Sequence, residues 1–295
     1  MAGRQRYLLT IEYIGTAFHG FQAQPEAAVR TVQVELEKAL LRLVGSQENL
    51  SRVIVSSRTD AGVHAIANTA HVDVLRTSKG KNASKFPPQI VRNAMNSFLR
   101  QSEQPIVVRD VVLVRDTFHS RFDAIGREYV YKIQMPKKVQ INAETGLLPS
   151  ALFTRDFAWH VDRPLDYTAM KEACHYLRGE HDFSSFRGSK CQANSPIREL
   201  TTLDIESIAL NNADELCESD AMNVLHVKAA GPSFLYHMVR NIVGALVHVG
   251  THKLEPKDIQ RILAARDRTV APAMAPAHGL YLRRVLYPPQ SINSS

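Results

Sequence analysis

Apolar and polar positions along this chain follow two periods. Residues 7–14 alternate, with Leu9, Ile11 and Tyr13 on one side and Thr10 and Glu12 on the other, which predicts a half-buried strand. Residues 31–44 switch to the helical period. Val32, Leu36, Leu40 and Leu43 form one stripe, and Glu35, Lys38 and Arg42 lie elsewhere on the surface. Gly45 is a natural stop, since it takes the left-handed cap conformation freely. Strands follow at 52–56 and 66–75. On the second, Ile66, Ala70, Val72 and Val74 share a face that Asn68 interrupts, and His71 reads as structural. Pro87-Pro88 leads into a helix over 89–99 and a strand over 106–114. The order is β-α-β-β-α-β, and two helices on one antiparallel sheet is its natural packing.

A second set of elements follows. Residues 127–135 alternate, with Arg127, Tyr129, Tyr131 and Ile133 on one face. Residues 135–159 have little periodicity. A helix is predicted over 167–177, and strands over 197–208 and 222–230, joined by an acidic connector at 211–220. Leu235, Met238, Val239, Ile242, Val243 and Leu246 then recur at i, i+3, i+4, i+7, i+8 and i+11, a core-facing helix stripe. Arg240 lies off that stripe, and a cation on so apolar a helix needs an anion nearby. Gly244 allows close helix packing. A short helix starts at Glu255-Pro256 and runs through Ala264, with Pro early in it. Residues 288–295 read as a loose tail.

Composition narrows the class. A chain of 295 residues, 44% hydrophobic and 22% charged, can bury one large or two moderate cores. No apolar run reaches membrane-spanning length; 239–249 comes nearest and is interrupted by Asn241, Gly244 and His248. The net charge of +7 fits a polyanionic partner such as RNA, and equally a merely basic protein. Residues 76–85 hold four cations and no acid, a charge run that reads first as a solvated loop. Cys174, Cys191 and Cys217 have no metal-ligand spacing and read as reduced thiols of an intracellular protein. Residues 1–6 are basic without an apolar signal core, so cytoplasm, nucleus and a mitochondrial matrix all fit.

The candidate chemistry sits between the strands 52–56 and 66–75. Ser57-Arg58-Thr59-Asp60-Ala61-Gly62-Val63-His64-Ala65 places Asp60 on a compact turn where Gly62 can take positive φ. A carboxylate there, two residues from the Arg58 cation, suits a nucleophile or a base and names no reaction by itself. Upstream, the stretch 15–25 joins two glycines with Phe18, Phe21, Gln22 and Gln24; its side chains can stack on bases or bond their edges, or form an ordinary ordered loop. Arg-x-Tyr-x-Tyr over 127–131, 182–187 with Arg187, 195–198, 234–244 with Arg240, and 275–282 complete the set. No metal cluster, P-loop or dinucleotide fingerprint occurs.

The nonapeptide resembles the active-site motif of the TruA family of tRNA pseudouridine synthases, and four motifs occur in that family's order. The resemblance covers nearly the whole chain, from Tyr7 to Tyr287. It departs at Ser57, where the family usually has Gly, and at His278, where a Glu is often found.

The resemblance implies an α+β pseudouridine synthase fold: two similar halves, antiparallel sheets with helices packed on one face, and a central active-site cleft. The division expected is 1–117, carrying the Asp motif, and 118–295, carrying the Tyr, Arg and Gly-Leu-Tyr-Leu motifs. It implies Asp60 as the catalytic residue, Arg240 paired with it, Arg58 assisting base extrusion, and Tyr129 stacked on the uracil. Phe18, Gln22, Arg187, Gly279, Leu280 and Leu282 become candidate substrate contacts, with Gly279 allowing close approach to the base. No cofactor and no metal are expected. The implied partner is RNA, in the form of tRNA at its anticodon stem-loop, with a homodimer as the working unit and no membrane. Two other classes fit less of the sequence. One is an RNA-binding or chaperone-like protein without catalysis; the other is a glycosidic hydrolase, whose usual second carboxylate is missing from the motifs. A mitochondrial or non-tRNA substrate is a variant of the first reading.

Overall fold

The computed structural model describes residues 4–25, 29–76, 85–137, 152–208 and 222–292. In chain order these form β1 (Gln5–Tyr13), α1 (Val32–Val44), β2 (Ile54–Val55), β3 (His64–Val74), α2 (Pro88–Gln101), β4 (Ile106–Val114) and β5 (Gly126–Pro136). There follow β6 (Trp159–His160), α3 (Tyr167–His175), β7 (Gly179–Asp182), β8 (Ile197–Leu200), β9 (Thr202–Ile208), β10 (Met222–Gly231), α4 (Met238–Gly250), α5 (Asp258–Ala265), β11 (Leu280–Leu286) and α6 (Pro289–Ile292). The chain is α+β. It divides into two compact units, Met1–Arg127 with Leu282–Ser295, and Glu128–Tyr281. A division at one point of the chain cannot express this, because the C-terminal segment returns to the first unit.

In the first unit, β1 lies between β4 and β3, antiparallel to both, with β2 paired to β3 and β11 next to β3. The registers slip beside Ile11 on both sides, next to the end of β1 that approaches the motif turn. Helix α1 begins where the Thr31 hydroxyl accepts from Val34 N–H and ends at Gly45, φ 76°. It packs on α2, which packs on β4. Tyr7, Leu9, Ile11, Leu36, Leu40, Met95 and Leu99 are fully or almost fully buried and form the core. Within the expected tail 288–295, Pro289–Ile292 form α6 rather than a loose end; Tyr287 and Ile292 pack on Leu8, Val114 and Phe118, and residues 293–295 lie outside the described residues.

In the second unit β10 lies between β5 and β9, antiparallel to β9, while β6 runs parallel beside β5. Helix α3, capped by Asp166 accepting from Ala169 N–H, packs on α4 and β9. The single strand predicted over 197–208 is two: β8 pairs with β7 in a separate sheet, and the chain bends at Thr201 before β9. Helix α4 starts at Met238, later than its stripe suggested, because His237 sits in the left-handed region at φ 64°. Helix α5 likewise starts at Asp258, beyond Pro256, where the Asp258 carboxylate accepts from Glu255 N–H. The connector 211–220, most of the cationic run 76–85 and most of 135–159 lie outside the described residues.

Candidate functional site

The motif turn is built from inside outwards. Ser57 and Thr59 are buried, Arg58 is exposed and Asp60 is half-buried, so alternate residues anchor and project. The Thr59 hydroxyl meets the Tyr13 hydroxyl at 2.8 Å. Asn68, wholly buried, donates from Nδ2 to the Ser57 carbonyl at 2.9 Å and to Tyr13 Oη at 3.2 Å. The interruption of an apolar strand face is therefore the bracket that holds the turn. Gly62 takes φ 80°, and Val63 N–H closes the turn on the Asp60 carbonyl at 3.1 Å.

The stretch 15–24 lies directly against this turn. Phe21 N–H donates to the Thr59 carbonyl, and Gly62 N–H to the Phe18 carbonyl, each at 3.3 Å. Its two glycines are obligatory. A Cβ on Gly15 would stand 1.9 Å from the Val63 carbonyl oxygen, and one on Gly20, at φ +93°, would stand 2.8 Å from that of Thr59. Phe18 is buried, with the Arg30 guanidinium 4.9 Å from its ring centroid, and so packs the loop; Gln22 is exposed.

Arg127 completes the support. Its Nε donates to Ser57 Oγ at 3.2 Å and its Nη2 to Ser56 Oγ at 3.4 Å and to the Arg121 carbonyl at 3.1 Å. Ser57 is not in the left-handed region, so its position calls for no glycine angle, and its hydroxyl serves as an acceptor.

The second unit carries the other candidates. Tyr129 is half-buried, its ring edge-on to Phe234 with centroids 4.9 Å apart. Tyr131, two residues on, is fully buried and donates to the Pro276 carbonyl at 2.8 Å. A Cβ on Gly279 would fall 2.5 Å from the Tyr131 ring, which gives that glycine a packing reason of its own. Arg240 is buried on α4 and donates from Nε to the Ala275 carbonyl at 2.9 Å, while Ala275 N–H returns a bond to the Arg240 carbonyl at 3.1 Å. Gly244 lets that same extended segment, not a helix, approach α4: its Cβ would stand 2.1 Å from the Ala273 carbonyl oxygen. Leu280 is buried in this unit, whereas Leu282 is buried in the first. Arg187 donates from Nη2 to the carbonyls of Cys191 and Ala193 at 2.8 and 2.7 Å, folding its loop on itself.

A family model described as tRNA pseudouridine synthase matches residues 9–123 and 173–288. A protein of Bartonella tribocorum named tRNA pseudouridine synthase A is 37% identical over 282 residues, covering 96% of this chain and 99% of that protein. One of Paramagnetospirillum magneticum with the same name is 39% identical over 282 residues, covering 96% and 95%. One of Allorhizobium ampelinum, again so named, is 37% identical over 284 residues, covering 96% and 95%. The chain belongs to the tRNA pseudouridine synthase family.

As a synthase of the TruA type, the chain has the pseudouridine synthase fold. The matched segments include Asp60, Arg58 and Arg240; Tyr129 lies between them, and its assignment rests on the Arg-x-Tyr-x-Tyr spacing. At the other departure from the family pattern, His278 is half-buried. Burial pushes its pKa below the ordinary histidine value, partly offset by Asp156. Cys174 is buried and Cys191 half-buried, neither in a disulfide, and Cys217 lies outside the described residues. Among the described residues no group of three or more His, Cys, Asp or Glu is arranged to hold a metal ion, and no helix is long and apolar enough to cross a membrane. Sequence reasoning missed the supporting roles of Asn68 and Arg127. The signal for Asn68 was present, as an amide on a face of apolar residues.

Proposed function

We propose that this protein isomerises uridine to pseudouridine in tRNA, at the anticodon stem-loop, with Asp60 as the nucleophile. The reaction exchanges the N1–C1′ bond for a C5–C1′ bond. The C5 proton leaves and N1 gains one, so the change is a balanced isomerisation. The observation that carries the reading is the Asp60 turn itself. A side chain on a turn bracketed by Tyr13 and Asn68, and overlaid by a loop whose glycines admit no Cβ, is held as a reacting group must be.

The remaining roles follow from the chemistry. The target base must leave its stack, at a cost of a few kcal/mol. Exposed Arg58 assists that extrusion or fills the vacated space. Arg240 pairs with Asp60 and aims it. Tyr129 stacks on the uracil and Leu280 keeps the pocket dry, with Gln22, Arg187 and Leu282 as further substrate contacts. The working unit is a homodimer; a concentration-independent monomer mass would remove that element.

The test is pseudouridine formation in an anticodon stem-loop transcript by wild type and Asp60→Asn. The substitution keeps the shape and removes the charge, so turnover should fall by at least about a thousandfold. Wild-type turnover in Asp60→Asn would overturn the assignment. Tight RNA binding without product from either protein would favour a binding protein.

A further inference from the structure

The turn His119-Ser120-Arg121-Phe122-Asp123-Ala124, between β4 and β5, has no part in the scheme above. Phe122 is 73% exposed, and Ile125 beside it 57%. The Phe122 ring is nonetheless held. The His119 ring lies 4.3 Å away at 33°, and the Arg121 guanidinium 5.6 Å from the Phe122 centroid. His119 is itself fixed. Its backbone N–H donates to the Asp123 carboxylate at 2.9 Å, and its Nδ1 accepts from the backbone N–H groups of Arg121 and Phe122 at 3.2 and 3.4 Å. The result is a solvent-exposed aromatic ring braced by His119, with the Arg121 cation over it.

The braced ring is also tied to the catalytic turn. The Arg127 guanidinium that donates to Ser56 and Ser57 donates as well to the carbonyls of Arg121 and Ala124, at 3.1 and 3.4 Å. One cation thus sets the ring's turn in place relative to Arg58 and Asp60.

A largely exposed aromatic side chain carrying a guanidinium matches an unpaired nucleotide. The base stacks on the ring and the phosphate meets the cation, with no demand on base identity. We propose that His119, Arg121 and Phe122 form a second RNA contact, which takes an unpaired base near the target uridine on Phe122 and its phosphate on Arg121. The proposal rests on the reading of the protein as a synthase acting on tRNA. Ile125 and Phe122 alone would also suit a protein partner, but the Arg121 cation over the ring and the net charge of +7 favour a polyanion.

The test uses the full chain and an anticodon stem-loop carrying 2-aminopurine at successive unpaired positions. At one position the wild type should quench the fluorescence on binding. Phe122→Ala should abolish that quench and raise the Kd about tenfold, within the range for one base–aromatic stack. Phe122→Tyr should restore both. Arg121→Gln should reduce the salt dependence of binding by about one phosphate contact. Phe153→Ala, which removes an equally exposed ring (72%), should leave the Kd unchanged. An unchanged Kd in Phe122→Ala, or an equal loss in Phe153→Ala, overturns the contact. So does a dimer-to-monomer shift in Phe122→Ala with RNA affinity per chain intact, since the surface would then join two copies. Pseudouridine formation is measured in parallel. Its absence in the wild type fails the functional reading, while the binding results still decide the contact.

Discussion

Asn68→Ala probes the idea that the Asp60 turn is positioned by a buried amide. Asn68 is fully buried, and its Oδ1 accepts Thr69 N–H at 2.9 Å while Nδ2 serves the Ser57 carbonyl and Tyr13. Alanine would orphan two backbone groups, the Ser57 carbonyl and the Thr69 N–H. Tyr13 would keep Thr59. A buried orphan costs about 1–3 kcal/mol, so the pair costs about 3 kcal/mol. The lost amide volume adds about 1 kcal/mol, and the expected destabilisation is about 4 kcal/mol. Asn68→Asp keeps the volume and the Thr69 acceptor but turns an oxygen towards the Ser57 carbonyl, so it should free the turn as well. The assays are urea unfolding, hydrogen exchange of residues 57–63, and single-turnover pseudouridine formation under conditions where the variants remain folded. Exchange across the turn should rise, and kcat should fall by about a hundredfold, as expected for a reacting group displaced by an ångström. A stability loss below about 1 kcal/mol, or a folded variant with wild-type turnover, would refute the bracket.

Three further outcomes follow. Gly15→Ala drives a Cβ into backbone at Val63 that cannot yield without moving the turn, so it should cost at least about 3 kcal/mol and lower kcat together with stability, read by urea midpoint and turnover. Ser57→Gly restores the usual family residue and removes one bond to Arg127, which keeps Ser56 and the Arg121 carbonyl; the cost should stay below about 2 kcal/mol, and kcat should change only a fewfold. His71 has its pKa pushed down to about 4, first by burial and then by the Arg6 charge, and its Nδ1 accepts from Ser120 N–H. The unfolded chain takes up that proton near 6.5, so the stabilisation is full above that pH and is lost as pH falls towards 4, by roughly 3 kcal/mol in all. Urea midpoints at about pH 7 and pH 4.5 should show the loss, and His71→Gln should flatten its share.

Much of the fold was legible because its elements obey single periods. The stripe Val32, Leu36 and Leu40, closed by Gly45, yields α1 within a residue of its bounds. Where bounds slipped, a local backbone choice overrode the pattern. His237 delays α4 by taking a left-handed conformation, which periodicity does not encode. Thr201 divides one β-rich run between two sheets, because strand propensity says nothing about which partner a strand finds. The return of Leu282–Ser295 to the first unit is a topological fact. Local sequence carries only a hint of it, in Tyr287 and in Ile292 of the nominal tail.

The candidate site's projecting residues stand out in the sequence, and what holds them does so much less. Arg58 and Asp60 stand out because a charged pair on a strand-to-strand turn has no packing reason to exist. Their supports look ordinary: a tyrosine on a strand, an asparagine on a sheet face, two glycines in a loop and an arginine at a strand start. Most are defined by a partner about 40 to 70 positions away, as Tyr13 is by Thr59 and Arg127 by Ser57, while Asn68 reaches Ser57 across 11. Substitution at a projecting position changes the chemistry, and substitution at a support changes geometry first. Asp60→Asn should therefore lose turnover with its stability intact, whereas Gly15→Ala and Asn68→Ala should lose both together. Those two signatures separate reacting residues from positioning residues within one nine-residue motif and the segments packed on it.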